Sequence, residues 1–138
     1  MENRYGEFII SDDKEKLKFQ RIKEMLSATY WAQNRTEEVI SKTIDHSICF
    51  GIYKNELQIG FARCVTDYAI MYWVGDVVID NNYRGLGLGK ALIEAITKHD
   101  DLKTLRGILE TRDAHGLYSQ YGFIRDGEKY MCRRILDN

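Results

Sequence analysis

The chain has 138 residues, with 20 Lys+Arg against 21 Asp+Glu for a formal net charge of −1, 44% hydrophobic and 30% charged residues, which is the balance of a folded globular domain rather than a disordered tract. At about 150 residues per domain the length predicts one domain, 1–138, and the near-zero charge argues against a protein whose main partner is a nucleic-acid backbone. No apolar run approaches the roughly 20 residues of a membrane span, the opening MENRYGEFIISDDKEK lacks a signal-peptide pattern, and the scattered Cys49, Cys64 and Cys132 suggest neither a disulfide framework nor a zinc site.

Residues 17–30 place Ile22, Met25, Leu26 and Thr29 on one face at helical spacing. Thr36-Glu37-Glu38 then reads as a capped helix start, with acids where the helix dipole favours them, and Val39, Ile40, Thr43 and Ile44 continue that second helix. From Ser47 to Thr66 the pattern is that of a β-hairpin turning at Asn55-Glu56, and MYWVGDVVI at 71–79 is apolar enough to predict a strand buried on both faces. The turn NNYRGLGLGK feeds a helix with Leu88, Ala91, Leu92, Ala95 and Ile96 inward and Lys90, Glu94 and Lys98 outward. A strand at 105–111, a short helix at 114–121 ending at Gly122, and a closing hairpin over FIRDGEKYMCRRI complete the chain. This order predicts an α+β sandwich: a mixed, mostly antiparallel sheet of about six or seven strands with one parallel crossover, flanked by about four helices.

Arg84-Gly85-Leu86-Gly87-Leu88-Gly89 lies where the buried strand enters an amphipathic helix. Glycines at alternate positions let the backbone approach a ligand and turn unpaired N–H groups outward at a helix N-terminus, which suits a pyrophosphate. The dinucleotide fingerprint would need glycine where Lys90 stands, and the P-loop would need glycine at Arg84 and Ser or Thr at Ala91. A turn that needs glycine for geometry alone is the competing reading.

Arg84-x-x-Gly87-x-Gly89 after DVVID resembles the acyl-CoA signature of the GNAT superfamily of N-acetyltransferases, and Ala114-x-x-x-Tyr118-x-x-x-Gly122-Phe123 resembles that family's later helix-and-strand motif. The two stand in the expected order with a helix and a strand between them. YWAQNRT, GFARCVTD and TRDAHGLYSQYGF are further similar to a branch of small bacterial members with unassigned substrates. The resemblance implies acetyl-CoA as cosubstrate, bound by backbone N–H groups of Arg84, Gly85, Gly87, Leu88 and Gly89, with Val77 and Ile79 pairing by backbone with the thioester and pantetheine arm. It implies that Tyr118 protonates the departing thiolate. Thr111 stands where the family often has an asparagine that touches the pantetheine or a bound water. A homodimer is compatible with the resemblance.

Acetyl transfer to an amine needs a neutral amine, a polarised carbonyl and a proton for sulfur. Asp76, inside an apolar run, requires a partner or a raised pKa, so it is either a base or a structural carboxylate; Glu110 is a second candidate base and a chain of waters a third route. Arg63 shares the face of Phe61 and Val65, and there it either pairs with Asp67 or Asp76 or grips an acidic group of the substrate. Tyr30 and Trp31 either stack on the acceptor or close the core, and Arg35 reads as an ordinary surface charge. His46, His99 and His115 have no ligand spacing, so no metal is expected. The expectation is a cytoplasmic N-acetyltransferase acting on a small amine by direct attack in a ternary complex, independent of nucleic acid and membrane. The alternative is a CoA-binding regulatory module that transfers nothing.

Overall fold

The structure, a computed structural model, describes residues 1–135. A hairpin of β1 (Glu2–Tyr5) and β2 (Phe8–Ser11) turns at Gly6, whose φ of +59° suits glycine. The helices α1 (Phe19–Ser27) and α2 (Glu37–Asp45) follow, then β3 (Ile48–Lys54), β4 (Leu57–Thr66) and β5 (Met71–Ile79). The remaining elements are α3 (Leu88–Lys98), β6 (Arg106–Leu109) and α4 (His115–Ser119), with short 3-10 turns at Lys14–Lys16, Asn81–Tyr83 and Gly127–Lys129.

The six strands of the described residues form one sheet in chain order, antiparallel throughout except for the parallel pair β5–β6 that α3 connects. Both faces are covered. Leu88, Leu92, Ile93 and Ile96 of α3 pack with Phe50, Ile52, Ile59 and Cys64 on one side. On the other, Ile22, Met25 and Leu26 of α1 and Ile40 of α2 meet Phe61 and Val78. The α1 face is the one its helical spacing predicts, and Thr36 caps α2 by accepting the Val39 N–H at 3.2 Å.

Three elements differ from expectation. The β1–β2 hairpin carries little sequence signal because all of β1 is exposed. Strand β5 is not buried on both faces; buried and half-buried residues alternate along its whole length, and its pairing with β6 ends at Val74↔Leu109. The closing hairpin does not form: residues 123–135 contain no strand, and Ile124 and Met131 are 86% and 95% exposed. Without an apolar face to bury, that segment has nothing to fix a strand register.

Between Phe61↔Val78 and Arg63↔Gly75 the β4–β5 register slips, so Ala62 faces both Asp76 and Val77 in a β-bulge. Asp76 takes φ +54°, left-handed for a non-glycine residue. The bulge reverses the strand's alternation: Tyr72 and Val74 point to the α3 side before it, whereas Val78 points to the α1 side after it.

The Leu92 side chain is fully enclosed between α3 and the sheet. Replacing it with alanine should lower unfolding free energy by about 2–5 kcal/mol, read as a shift of the urea midpoint with unchanged slope.

Candidate active site

The glycine turn leaves β5 through Asp80, which is held by neighbours well separated in sequence. Arg21 Nη2 donates to Asp80 Oδ2 at 2.6 Å, Arg21 Nε donates to the Gln58 carbonyl at 3.0 Å, and the Asn82 N–H donates to Asp80 Oδ1 at 2.8 Å. This anchoring fixes where the turn begins. Gly85 and Gly87 adopt φ values of +81° and +78°, and Gly87 caps α3 with no side-chain hydrogen bond. The first N–H groups of α3 therefore have no side-chain acceptor, and a Cβ on Gly87 would meet Tyr5 Oη at 2.6 Å. Tyr5 also donates to the Leu86 carbonyl at 3.3 Å, so the N-terminal hairpin buttresses the turn. Left-handed glycines, unpartnered donors and the positive end of a helix dipole fit a pyrophosphate.

Beyond Val74, β5 has no strand on its β6 side among the described residues, and Val77 and Ile79 lie on this open stretch, half-buried, ahead of the turn. Tyr118 is buried on α4, edge-on to Phe123 with ring centroids 5.9 Å apart. Burial, with the nearby Asp113 charge, pushes its phenol up to about 12. Thr111 accepts the Ala114 N–H at 3.1 Å, so its hydroxyl shapes the loop that starts α4.

On the opposite face of the sheet, the Asp76 side chain is only 2% exposed. Arg63 Nε and Arg35 Nη1 both donate to its Oδ2 at 2.6 Å, and Trp31 Nε1 donates to Oδ1 at 3.0 Å. Burial opposes its ionisation, but the hydrogen bonds and charges of the two guanidinium groups outweigh that and hold the carboxyl below its usual range. With both oxygens occupied and the charged form stabilised, Asp76 is poorly suited to accept a proton. Of the two sequence readings, the paired carboxylate is the one this geometry favours, with Asp76 rather than Asp67 as the partner of Arg63. Asp67 instead accepts backbone N–H groups of the turn before β5.

Tyr30 and Trp31 are 50% and 42% exposed and stack edge to face at 5.0 Å. Above Tyr30 lies the Arg112 guanidinium, 3.8 Å from the ring centre, which joins the α1–α2 loop to the β6–α4 loop. Glu110 is exposed, its carboxylate 3.5 Å from the Tyr130 hydroxyl that donates to it. Sequence reasoning did not find Arg35, Arg112, Arg21 or Tyr5 as parts of this region. All four act across long sequence separations, and only the twin charges Asp76 and Arg63 in apolar strands hinted that further partners were needed.

A hollow of about 1440 Å³ between β6, α4 and residues 123–131 touches Tyr118 and Thr111 but no residue of the glycine turn. Volume alone therefore does not mark the site. Among the described residues there is no group of three or more metal-ligating side chains and no helix long and apolar enough to cross a membrane. Burial pushes the Cys64 and Cys49 thiols up to about 12 and about 11, so both behave as core residues.

A family model described as an acetyltransferase (GNAT) domain matches residues 45–125. A crystal structure from Xanthomonas campestris pv. campestris, described as an acetyltransferase of the GNAT family, superposes with a TM-score of 0.88 at 39% identity and covers 93% of each chain. The uncharacterized N-acetyltransferase ycf52 of Pyropia yezoensis is 24% identical over 129 residues, which is 88% of this chain and 73% of that protein. Its namesake in Gracilaria tenuistipitata var. liui is 34% identical over 76 residues, 53% of this chain and 41% of that protein, so this chain spans less than half of the latter's length.

Truncating Asp76 to alanine should cost about 3–5 kcal/mol at neutral pH, because it strands two guanidinium groups. The Asp76 pKa is lowered on folding, so its contribution is present above the unfolded carboxyl pKa of about 4 and is lost as pH falls through the lower folded value. Denaturant titrations should show the gap between wild type and Asp76→Ala constant near neutrality and shrinking in acid below about pH 4.

Proposed function

Because the chain belongs to the GNAT acetyltransferase family and is an acetyltransferase, we propose that it moves an acetyl group from acetyl-CoA to the amine of a small molecule by direct attack in a ternary complex. The observation that carries this reading is the glycine-rich start of α3, capped by Gly87 with no side-chain acceptor, beside the open stretch of β5. Acetyl-CoA, when bound, supplies an activated acyl carbon and a thiolate leaving group. Backbone N–H groups of Arg84, Gly85, Gly87, Leu88 and Gly89 hold its pyrophosphate, and the main chain of Val77 and Ile79 orients the acyl end. Preoriented backbone donors of this kind polarise a carbonyl without reorganising.

The amine nitrogen bonds to the carbonyl carbon as the carbon–sulfur bond breaks, and sulfur takes the Tyr118 proton. Burial keeps that phenol protonated well above neutral pH, so the proton is in place when it is needed. The amine loses its own proton to water, and Asp76 serves as the anchor that positions Arg35, Arg63 and Trp31 rather than as the base. Thr111 contributes by setting the loop before α4. Tyr30, Trp31 and Arg63 belong to the acceptor side. In this reading residues 1–138 act as one domain, without metal, nucleic acid or membrane, and a cytoplasmic setting suits the unpaired Cys49, Cys64 and Cys132.

Calorimetric titration with acetyl-CoA, CoA, ATP and NAD, alongside thiol release against pooled amines, tests the proposal. Acetyl-CoA should bind and thiol should appear with one class of amine. Binding without release would favour the CoA-responsive regulatory module, and indifference to CoA would overturn the cofactor assignment. Tyr118→Phe should lower kcat about 10²–10⁴-fold with acetyl-CoA affinity retained. Gly87→Ala should instead weaken acetyl-CoA binding, since its φ is left-handed and a Cβ would strike Tyr5.

A further inference from the structure

The Asp76 cluster is unbalanced in charge. Two guanidinium groups converge on one carboxylate oxygen at 2.6 Å each, which leaves one net positive charge on a partly buried site. Among the described residues neither arginine forms any other ion pair. Arg35 has no other side-chain hydrogen bond among them, and Arg63 has only a long one, its Nη1 donating to Ser47 Oγ at 3.4 Å. Most N–H donors on the two forks are therefore without an acceptor among the described residues. Retaining an uncompensated, partly desolvated cation costs stability, and an incoming anion would relieve that cost.

Two further observations point the same way. Arg63 and Ser47 form part of the wall of a hollow of about 360 Å³ whose other charged or titratable members are Lys42 and His46, with no acidic residue in its lining. Across the site Arg112 lies over Tyr30, again with no acidic partner among the described residues, and Tyr30 leads through Trp31 back to Asp76. The cluster is one residue from Val77 on the strand that Proposed function assigns to the acyl end.

We propose that the acceptor is an amine bearing a carboxylate, of the amino-acid type, and that Arg35 and Arg63, held by Asp76, bind that carboxylate. The guanidinium fork matches a carboxylate in a bidentate geometry that a single ammonium cannot offer. Tyr30 and Trp31 provide flat, half-exposed surface for the remainder of the molecule. Arg35 and Arg63 thus determine which amines enter, while the transfer chemistry stays with the cleft and Tyr118. This inference rests on the acetyl-transfer reading for the amine, but the anion site can be tested without transfer.

The test titrates a panel of L-amino acids, each beside its carboxamide and its decarboxylated amine, with inorganic phosphate as a further probe. Intrinsic tryptophan fluorescence reads binding without acetyl-CoA, and thiol release reads kcat/KM. The acid form of at least one amino acid should bind and turn over about 10- to 100-fold better than its two analogues that lack the carboxylate, as loss of a charge-assisted bond predicts. Arg35→Gln should erase that preference through KM while leaving acetyl-CoA affinity unchanged. Arg112→Gln, which leaves the Asp76 cluster intact, should weaken the acid form by a smaller factor. Equal binding and turnover of acids and analogues, or an Arg35→Gln protein that keeps the preference, would overturn the proposal, as would phosphate displacing every amino acid. Preference for the acid in fluorescence with no thiol release would uphold the carboxylate site and sink the transfer reading. Thiol release with equal rates for acids and analogues would do the reverse.

Discussion

A single aspartate held in a left-handed backbone conformation shapes most of the architecture around the site. Asp76 occupies the bulge in β5 at φ +54°, a conformation that costs a non-glycine residue about 1–3 kcal/mol. Its carboxylate, bonded to Arg35, Arg63 and Trp31, offsets that cost and pins the bulge to the α1–α2 loop and β4. Because the bulge inserts one residue opposite Ala62, it reverses which side chains face which layer. It follows by two residues the last pairing between β5 and β6, so the strands part at the point where a ligand could reach the backbone. Strain, charge pairing and cleft are one device.

That device also separates the work of the two sheet faces. The α3 face carries the glycine turn, the half-buried Val77 and Ile79, and Tyr118, all suited to an anionic cofactor and its acyl end. The α1–α2 face carries the arginines and aromatics. The faces are joined by consecutive residues, Asp76 and Val77, whose side chains point to opposite layers. A change at Asp76 is therefore expected to be felt on both, through charge on one side and strand geometry on the other. Arg21 and Tyr5 stabilise the turn from further away, one through Asp80 and one through the Leu86 carbonyl, so the cradle depends on α1 and on the N-terminal hairpin as well as on its own glycines.

Much of this was legible in the chain. The helical spacing of Ile22, Met25 and Leu26, the Thr36 cap, and the inward stripe of Leu88, Leu92 and Ile96 are local patterns, and the folded elements follow them. The strand–glycine turn–helix sequence, with the motif around Tyr118, indicated the family that the comparisons support. The β1–β2 hairpin was not legible because its first strand buries nothing, and the closing hairpin was overread because β-like composition alone does not supply a face to pack against. Asp76 and Arg63 were recognisable as charges that needed partners, yet Arg35 looked like any surface residue.

The sequence by itself determined the periodic elements, the glycines at the start of α3 and the two family motifs, since each depends on residues within one or two turns of one another. Only the tertiary structure decided that Asp76 is clamped by Arg35, Arg63 and Trp31, that Arg112 stacks on Tyr30, and that Tyr5 touches the glycine turn. These contacts join residues tens of positions apart in the chain. Their partners are chosen by how the sheet twists and where the bulge falls, and a one-residue change of register there would send the same side chains to the other face.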